Sequence, residues 1–441
     1  MTMAFPDDTS RSFSLYERAR RVMPGGNTRT TVYMRPYPLY VDRGLGCRVW
    51  DVDGVERIDV INNFTAAIHG YAVPQVNEAV SRQLQCGTAF GAPTLSEIEL
   101  AELLCERVGS IEEIRFMNSG SEAVMQALKA ARSYTERPKI AKTEGAYHGS
   151  YDYAEVSLDP SPAQWGNHSP RSTAYSRGTP QAVLDDVVVL PFNDIETSVR
   201  LIREHGAQLA GVLVDPMPNR GGLIPADKNY LEALRAACDE TGALLIFDEV
   251  ISFRLGYHGA QAIWGVGADL TVLGKIMGGG FPVGAVGGRK KFMAVFDPTS
   301  GKPPLPHGGT FSANPVTMVA GLAAMKLLDR DAFVRLDRMG DVARTGITEA
   351  FRRAGVPGRV TGQGSLLKVH FTNLPIRDYR STVVSPAQSK MESVFTRALI
   401  NQSLLPSSYG LMALSTAMSD DDIEQIIDAV QGALNTVASE I

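Results

Sequence analysis

Between residues 113 and 290 the chain alternates short apolar runs with helical stretches, and few folds accept that rhythm. The runs are Ile114-Arg115-Phe116-Met117, Val187-Val188-Val189-Leu190, Ala210-Gly211-Val212-Leu213-Val214, Ala243-Leu244-Leu245-Ile246-Phe247, Leu270-Thr271-Val272-Leu273 and Val283-Gly284-Ala285-Val286. A run that is apolar throughout reads as a strand buried on both faces. The helices between runs supply the crossovers that parallel strands need. The pattern predicts an α/β fold with a large, mostly parallel sheet covered by helices on both faces.

The flanks read differently. Residues 14–23 look helical and are followed by the glycine turn Pro24-Gly25-Gly26-Asn27. Residues 38–61 read as a small meander: Leu39-Tyr40-Val41, then Cys47-Arg48-Val49-Trp50-Asp51-Val52, then Arg57-Ile58-Asp59-Val60, with Asp53-Gly54 as the hairpin signal. Residues 97–108 carry one apolar helical strip. From about 326 helical patterns (332–354, 386–402, 419–438) surround the strand-like Leu366-Leu367-Lys368-Val369-His370-Phe371. The expected division is an N-terminal segment, 1–60, that joins a small domain, a large domain, 61–325, and a C-terminal small α/β domain, 326–441. Residues 158–182, rich in Pro, Ser and Gly, form a long loop.

Composition narrows the function. A net charge of −5 with no basic block argues against nucleic acid as a partner. Cys47, Cys86, Cys105 and Cys238 lie far apart and form no CxxC, as expected of thiols in a reducing, cytoplasmic compartment. The N-terminal residues lack the basic and apolar regions of a signal peptide, and no window approaches 18 uninterrupted apolar residues, so no membrane span is expected. The 7 histidines are dispersed, which gives a metal site no support.

The chemistry concentrates at the ends of apolar runs. Lys275 follows one run and precedes Gly278-Gly279-Gly280; Asp248 closes another, Ala243-Leu244-Leu245-Ile246-Phe247. An amine and an acid at two neighbouring strand ends is the pair a pyridoxal phosphate site needs. The lysine would form the Schiff base, and the carboxylate would keep the pyridine nitrogen protonated. The plainer alternative is a loop lysine near glycines. Ser119-Gly120-Ser121, between a strand and a helix, offers free N–H groups and hydroxyls for a phosphate, or simply caps the helix. Tyr147, in Gly145-Ala146-Tyr147-His148-Gly149, could lie against a cofactor ring or sit on the core edge. Thr310, in Gly308-Gly309-Thr310, could reach a phosphate or cap, while Asn314-Pro315 fits the start of a helix.

Taken in order, Asn118-Ser119-Gly120-Ser121-Glu122-Ala123, Tyr147-His148-Gly149, Asp248-Glu249-Val250, Gly274-Lys275-Ile276-Met277-Gly278-Gly279-Gly280 and Gly309-Thr310 closely resemble the class III aminotransferases. The nearest branch looks like that of the glutamate-1-semialdehyde aminomutases and related β-amino-acid aminotransferases. The resemblance covers about residues 14–438. It implies the type I fold of pyridoxal-phosphate enzymes and a homodimer with shared active sites. It implies Lys275 as the Schiff-base lysine and Asp248 as the pyridinium partner. Val250 and Tyr147 would take the two ring faces, with His148 beside them. Ser119, Gly120 and Ser121 would form the phosphate cup, and Thr310 would reach the partner's phosphate. Asp215 would stand near the ring hydroxyl, and Arg29 would bind a substrate carboxylate.

This chain also departs from its relatives. Val214-Asp215-Pro216 stands where they usually read Val-Glu-Pro, and Asn27-Thr28-Arg29-Thr30 replaces the aminomutase Asn-Ser-Pro-Val-Arg. Pro406-Ser407-Ser408-Tyr409-Gly410 lacks the second arginine of some β-amino-acid enzymes, so the pocket near Tyr409 is expected to accept a bulky or neutral donor. These features favour a transaminase passing an amino group from an amine or β-/ω-amino acid to a 2-oxo acid. An aminomutase or racemase on the same site is the alternative. A ligand-sensing regulator would need a DNA-binding module that residues 1–60 do not supply.

Overall fold

The computed structural model describes residues 4–441. The chain forms two compact units. One comprises residues 4–74, Val334–Pro375 and Val383–Ile441; the other comprises Gln75–Phe333 and Ile376–Thr382. The expected boundary at 325 lies within the helix Pro315–Leu327; the units divide at 333, in the first turn of the following helix, Arg330–Ala354. The other boundary moves from 60 to 74.

Among the described residues the larger unit holds a seven-stranded sheet. Its order is Glu113–Met117, Gly284–Gly288, Leu270–Gly274, Leu244–Asp248, Leu209–Val214, Lys139–Thr143 and Val187–Leu190. Gly284–Gly288 runs against both neighbours, and the other pairings are parallel. Every residue of Val187–Leu190, Leu209–Val214, Leu244–Asp248 and Leu270–Gly274 is buried, as a sheet covered on both faces requires. Helix Gly120–Thr135 buries Ala123, Val124, Ala127, Leu128 and Ala131 in one core with Ile140, Leu213, Ile246 and Val286. By the usual cost of emptying a packed site, Leu128→Ala should destabilise the fold by about 2–5 kcal/mol, read as a lowered denaturation midpoint.

One strand is absent from the sequence reading: Lys139–Thr143. Lys142 in its centre is fully buried, and its Nζ donates to the carbonyls of Thr143 (3.0 Å) and Val156 (2.9 Å). Two lysines in five residues hid an interior strand.

In the smaller unit Val41–Leu45, Arg48–Asp51 and Glu56–Asp59 form the antiparallel meander, and Leu404–Leu405 adds in parallel to Glu56–Asp59. Asp51 Oδ1 accepts from the N–H groups of Asp53 (3.0 Å) and Val55 (2.8 Å), which builds the expected turn. A second sheet joins Arg359–Thr361, Leu366–His370 and Leu411–Ala413. Helices Pro386–Asn401 and Asp420–Glu440 start at capping boxes on Ser385 and Ser419. The first helix is Arg11–Ala19 rather than 14–23, because Ser10 caps it: its Oγ accepts from Phe13 N at 3.1 Å.

Asn62, Asn63, Phe64 and Thr65 all have positive φ (49°, 47°, 54° and 75°), a left-handed turn without glycine. Such a conformation costs roughly 1–2 kcal/mol per residue. Asp59 Oδ1 holds the entry by accepting from Ile61 N (2.7 Å) and Asn62 N (2.9 Å), and Asn62 Nδ2 donates to the Ala413 carbonyl.

Candidate active site

Three adjacent parallel strands, Leu209–Val214, Leu244–Asp248 and Leu270–Gly274, end on one edge of the sheet. Asp215, Asp248 and Lys275 stand at these ends. Open α/β sheets bind ligands outside the carboxyl ends of their strands, and these three groups share that location.

Asp248 is buried and fixed through both oxygens. Oδ2 lies 2.7 Å from His148 Nδ1, and Oδ1 accepts from Val250 N at 3.0 Å. Burial pushes the His148 imidazole below its usual pKa, so the ring is neutral at pH 7 and its Nδ1–H donates to the carboxylate. His148 Nε2 is buried without a hydrogen-bond partner. Asp215 Oδ1 accepts from Met217 N at 2.9 Å. Burial, and then the charge of Asp248, pushes the Asp215 carboxyl up to about 8.

Lys275 opens the turn Lys275–Gly278 with φ +49°, a strained conformation for a side chain with a Cβ. It is partly buried. Burial pushes its amine down to about 8, while Asp248 and Asp215 oppose that shift. A neutral amine is therefore available near neutral pH, which a nucleophile or proton carrier requires. Arg254, fully buried, is also lowered by burial, to about 9.

Helix Gly120–Thr135 begins at Ser119, whose Oγ accepts from Glu122 N at 3.2 Å, so the plain capping role is present. Ser121 Oγ accepts from Ser150 N at 3.3 Å, joining this helix start to the segment after His148. A Cβ at Gly120 would stand 3.1 Å from Val250, so the missing side chain keeps a gap between the helix start and Val250. Tyr147 is 49% exposed. Thr310 is exposed and lines an open cleft of about 290 Å³ with Phe90, Gly91, Pro93 and Ser312. Neither Lys275 nor Asp248 lines that cleft. Asn314 does cap the helix Pro315–Leu327, accepting from Thr317 N at 2.9 Å.

Arg29 and Tyr409 belong to the other unit. Arg29 is exposed; its Nη1 donates to Asn63 Oδ1 at 2.8 Å and its guanidinium lies 5.5 Å from the Phe64 ring centroid. The left-handed turn thus holds the arginine from two sides. Tyr409 is partly buried, and Lys368 Nζ lies 5.5 Å from its ring centroid. The cation beside Tyr409 comes from the strand Leu366–His370, where the sequence reading looked for none. Among the described residues no cluster of potential metal ligands occurs, and no helix is long and apolar enough to cross a membrane.

The sequence profile of the class-III aminotransferases matches residues 31–434. In structure the chain is similar to an omega-transaminase from Sphaerobacter thermophilus, with 53% identity, a TM-score of 0.95 and 98% of each chain covered. In sequence it is 38% identical to a glutamate-1-semialdehyde 2,1-aminomutase 2 of Geobacillus kaustophilus, over 96% of this chain and 97% of the relative. It is 37% identical to a beta-phenylalanine transaminase of Variovorax paradoxus, over 97% of this chain and 93% of the relative.

The chain belongs to the class-III aminotransferase family. It is a transaminase of the type I α/β fold, and its cofactor is pyridoxal 5′-phosphate.

Proposed function

We propose that the protein moves an amino group from an amine or a β- or ω-amino acid to a 2-oxo acid, in two half-reactions that use one set of residues. The observation that carries this reading is the placement of Asp215, Asp248 and Lys275 at three adjacent strand ends. The residues present suit the cofactor. A buried carboxylate with a neutral histidine behind it fits a pyridinium N–H, and a buried, unpartnered His148 Nε2 points to a polar group still to be met. The helix start at Ser119-Gly120-Ser121 offers N–H donors and dipole to a phosphate.

When bound, the cofactor supplies an electron sink for the charge that develops at the donor carbon. Lys275 would hold the cofactor, and its amine, when free, would take the proton leaving the donor carbon and hand that same proton on to the cofactor. Asp248 would keep the ring nitrogen protonated, with His148 holding Asp248 in line. Asp215 would stand near the ring hydroxyl. Val250 and Tyr147 would take the two ring faces. Thr310, on an exposed turn, serves the phosphate of a second copy in a homodimer. Arg29 grips the carboxylate of the acceptor with its planar fork. Tyr409 borders the donor pocket. The dispersed, unpaired cysteines favour a cytoplasmic setting.

The test is an amine-donor panel with pyruvate and 2-oxoglutarate as acceptors. Amino transfer that depends on an added 2-oxo acid supports the reading. Rearrangement of a single substrate with no acceptor present would replace it with the aminomutase.

A further inference from the structure

We propose that Arg380 is a positioning residue for the turn Glu144-Gly145-Ala146-Tyr147-His148 and, through it, for the cofactor ring. The inference rests on the reading above that Tyr147 and His148 face the cofactor.

The segment Ile376–Thr382 belongs to the larger unit, although the chain on both sides of it belongs to the other. Arg380 grips the buried Glu144 carboxylate with two bonds, Nε to Oε2 at 2.6 Å and Nη2 to Oε1 at 3.0 Å. Its guanidinium also lies 5.2 Å from the Trp165 ring centroid, and Nη1 donates to the Gly166 carbonyl at 3.4 Å. Tyr379 beside it donates from its hydroxyl to Asp159 Oδ1 at 2.7 Å. The Tyr379 ring occupies the space a Cβ would need at Gly145, where φ is +72° and a side chain would be strained in any case.

The turn is therefore held at both ends. Glu144 N continues the sheet by donating to the Leu190 carbonyl, and Gly145 N donates to Ser157 O. At the far end His148 meets Asp248, and Ser150 N meets Ser121 Oγ. Between these anchors Tyr147 is half-exposed, so the position of its backbone depends on them. A fork–fork arginine–carboxylate pair fixes orientation as well as distance, and a lysine would keep the charge and lose the fork. A plain staple for the segment is the competing account. It would cost stability equally with and without cofactor and leave the ring's surroundings as they were.

The experiment uses the purified, cofactor-loaded protein with Arg380→Gln, Arg380→Lys and, as a control, Asp248→Asn. The readouts are the visible circular dichroism of the bound cofactor, the pH midpoint of its visible absorption band, and its release rate on dilution. Arg380→Gln is expected to release cofactor about tenfold faster, the scale seen when a partner that orients a ligand-holding group is lost, and to move the midpoint. Arg380→Lys should fall between the two. A folded Arg380→Gln with wild-type dichroism, midpoint and release overturns the proposal if Asp248→Asn alters them. If both leave them unchanged, the site reading falls with it. Should Arg380→Gln fail to fold, Glu144→Gln, which keeps one oxygen for the arginine, is judged by the same three readouts.

Discussion

His148 Nδ1 lies 2.7 Å from Asp248 Oδ2, one hundred residues away in the chain, and both side chains are buried. With Val250 N donating to Oδ1, the contact fixes the orientation of the Asp248 carboxylate. Asp248→Asn keeps the shape and removes the charge. The expected loss is about 100- to 1,000-fold in kcat, the scale of deleting one preorganised electrostatic group. Steady-state rates near wild type would remove Asp248 from the mechanism.

Lys275→Ala should abolish turnover while far-UV circular dichroism stays native. Borohydride treatment of the loaded wild type should attach the cofactor to Lys275, identified by peptide mapping. With the cofactor-free amine lowered to about 8 by burial, cofactor uptake should rise as pH climbs through that value, because only the neutral amine attacks. Uptake that keeps climbing to the pH of an ordinary lysine would contradict the assigned environment.

Asp215 gives a pH signature in the cofactor-free protein. Its carboxyl titrates near 8 when folded and at about 4 when unfolded. Between these values the folded chain holds a proton that the unfolded chain releases. This group's contribution to stability is thus full below about 4 and is lost as pH rises through about 8. Asp215→Asn cannot ionise, so its denaturation midpoint should gain on wild type as pH rises from 5 to 8, on the order of that window. Parallel midpoint-versus-pH curves would rule this out.

Thr310→Val should weaken retention of the cofactor more than it lowers the thermal midpoint of the cofactor-free protein. Sedimentation of the wild type should give a dimer. A monomeric, fully active enzyme would exclude a role for Thr310 on a neighbouring copy.

Arg29→Ala should raise KM for pyruvate-like acceptors by about 10- to 100-fold, the value of one or two charged hydrogen bonds, and spare donors without a carboxylate. If donor and acceptor kinetics fall together, Arg29 is structural and Arg254 becomes the next carboxylate partner to test. Arg220 is engaged with Asp159 at 3.0 Å and is the weaker candidate.

The sheet was legible because short, fully apolar runs such as Leu209–Val214 alternate with helical stretches, the rhythm of buried parallel strands. Lys139–Thr143 was not, because a lysine can be buried when two carbonyls take its protons, and sequence does not announce those partners. The placement of Lys275 and Asp248 at strand ends was readable from the apolar runs before them. The contact of His148 with Asp248 was not, since nothing in Tyr147-His148-Gly149 names an acid a hundred residues on. Nor could spacing reveal that Lys368 lies beside Tyr409 or that Arg380 grips Glu144, since each pairing is made by folding alone.

The left-handed run Asn62–Thr65 has a practical consequence for anyone reshaping this enzyme. Random libraries at these four positions would sample mostly residues that the backbone rejects, and apparent losses of activity there would report misfolding. Asparagine, aspartate and glycine are the admissible alphabet at 62 and 63. Asn63 and Phe64 both touch Arg29, so altering how that arginine is presented is best attempted with this restricted set, or by changing the arginine's own neighbours at Thr28 and Thr30.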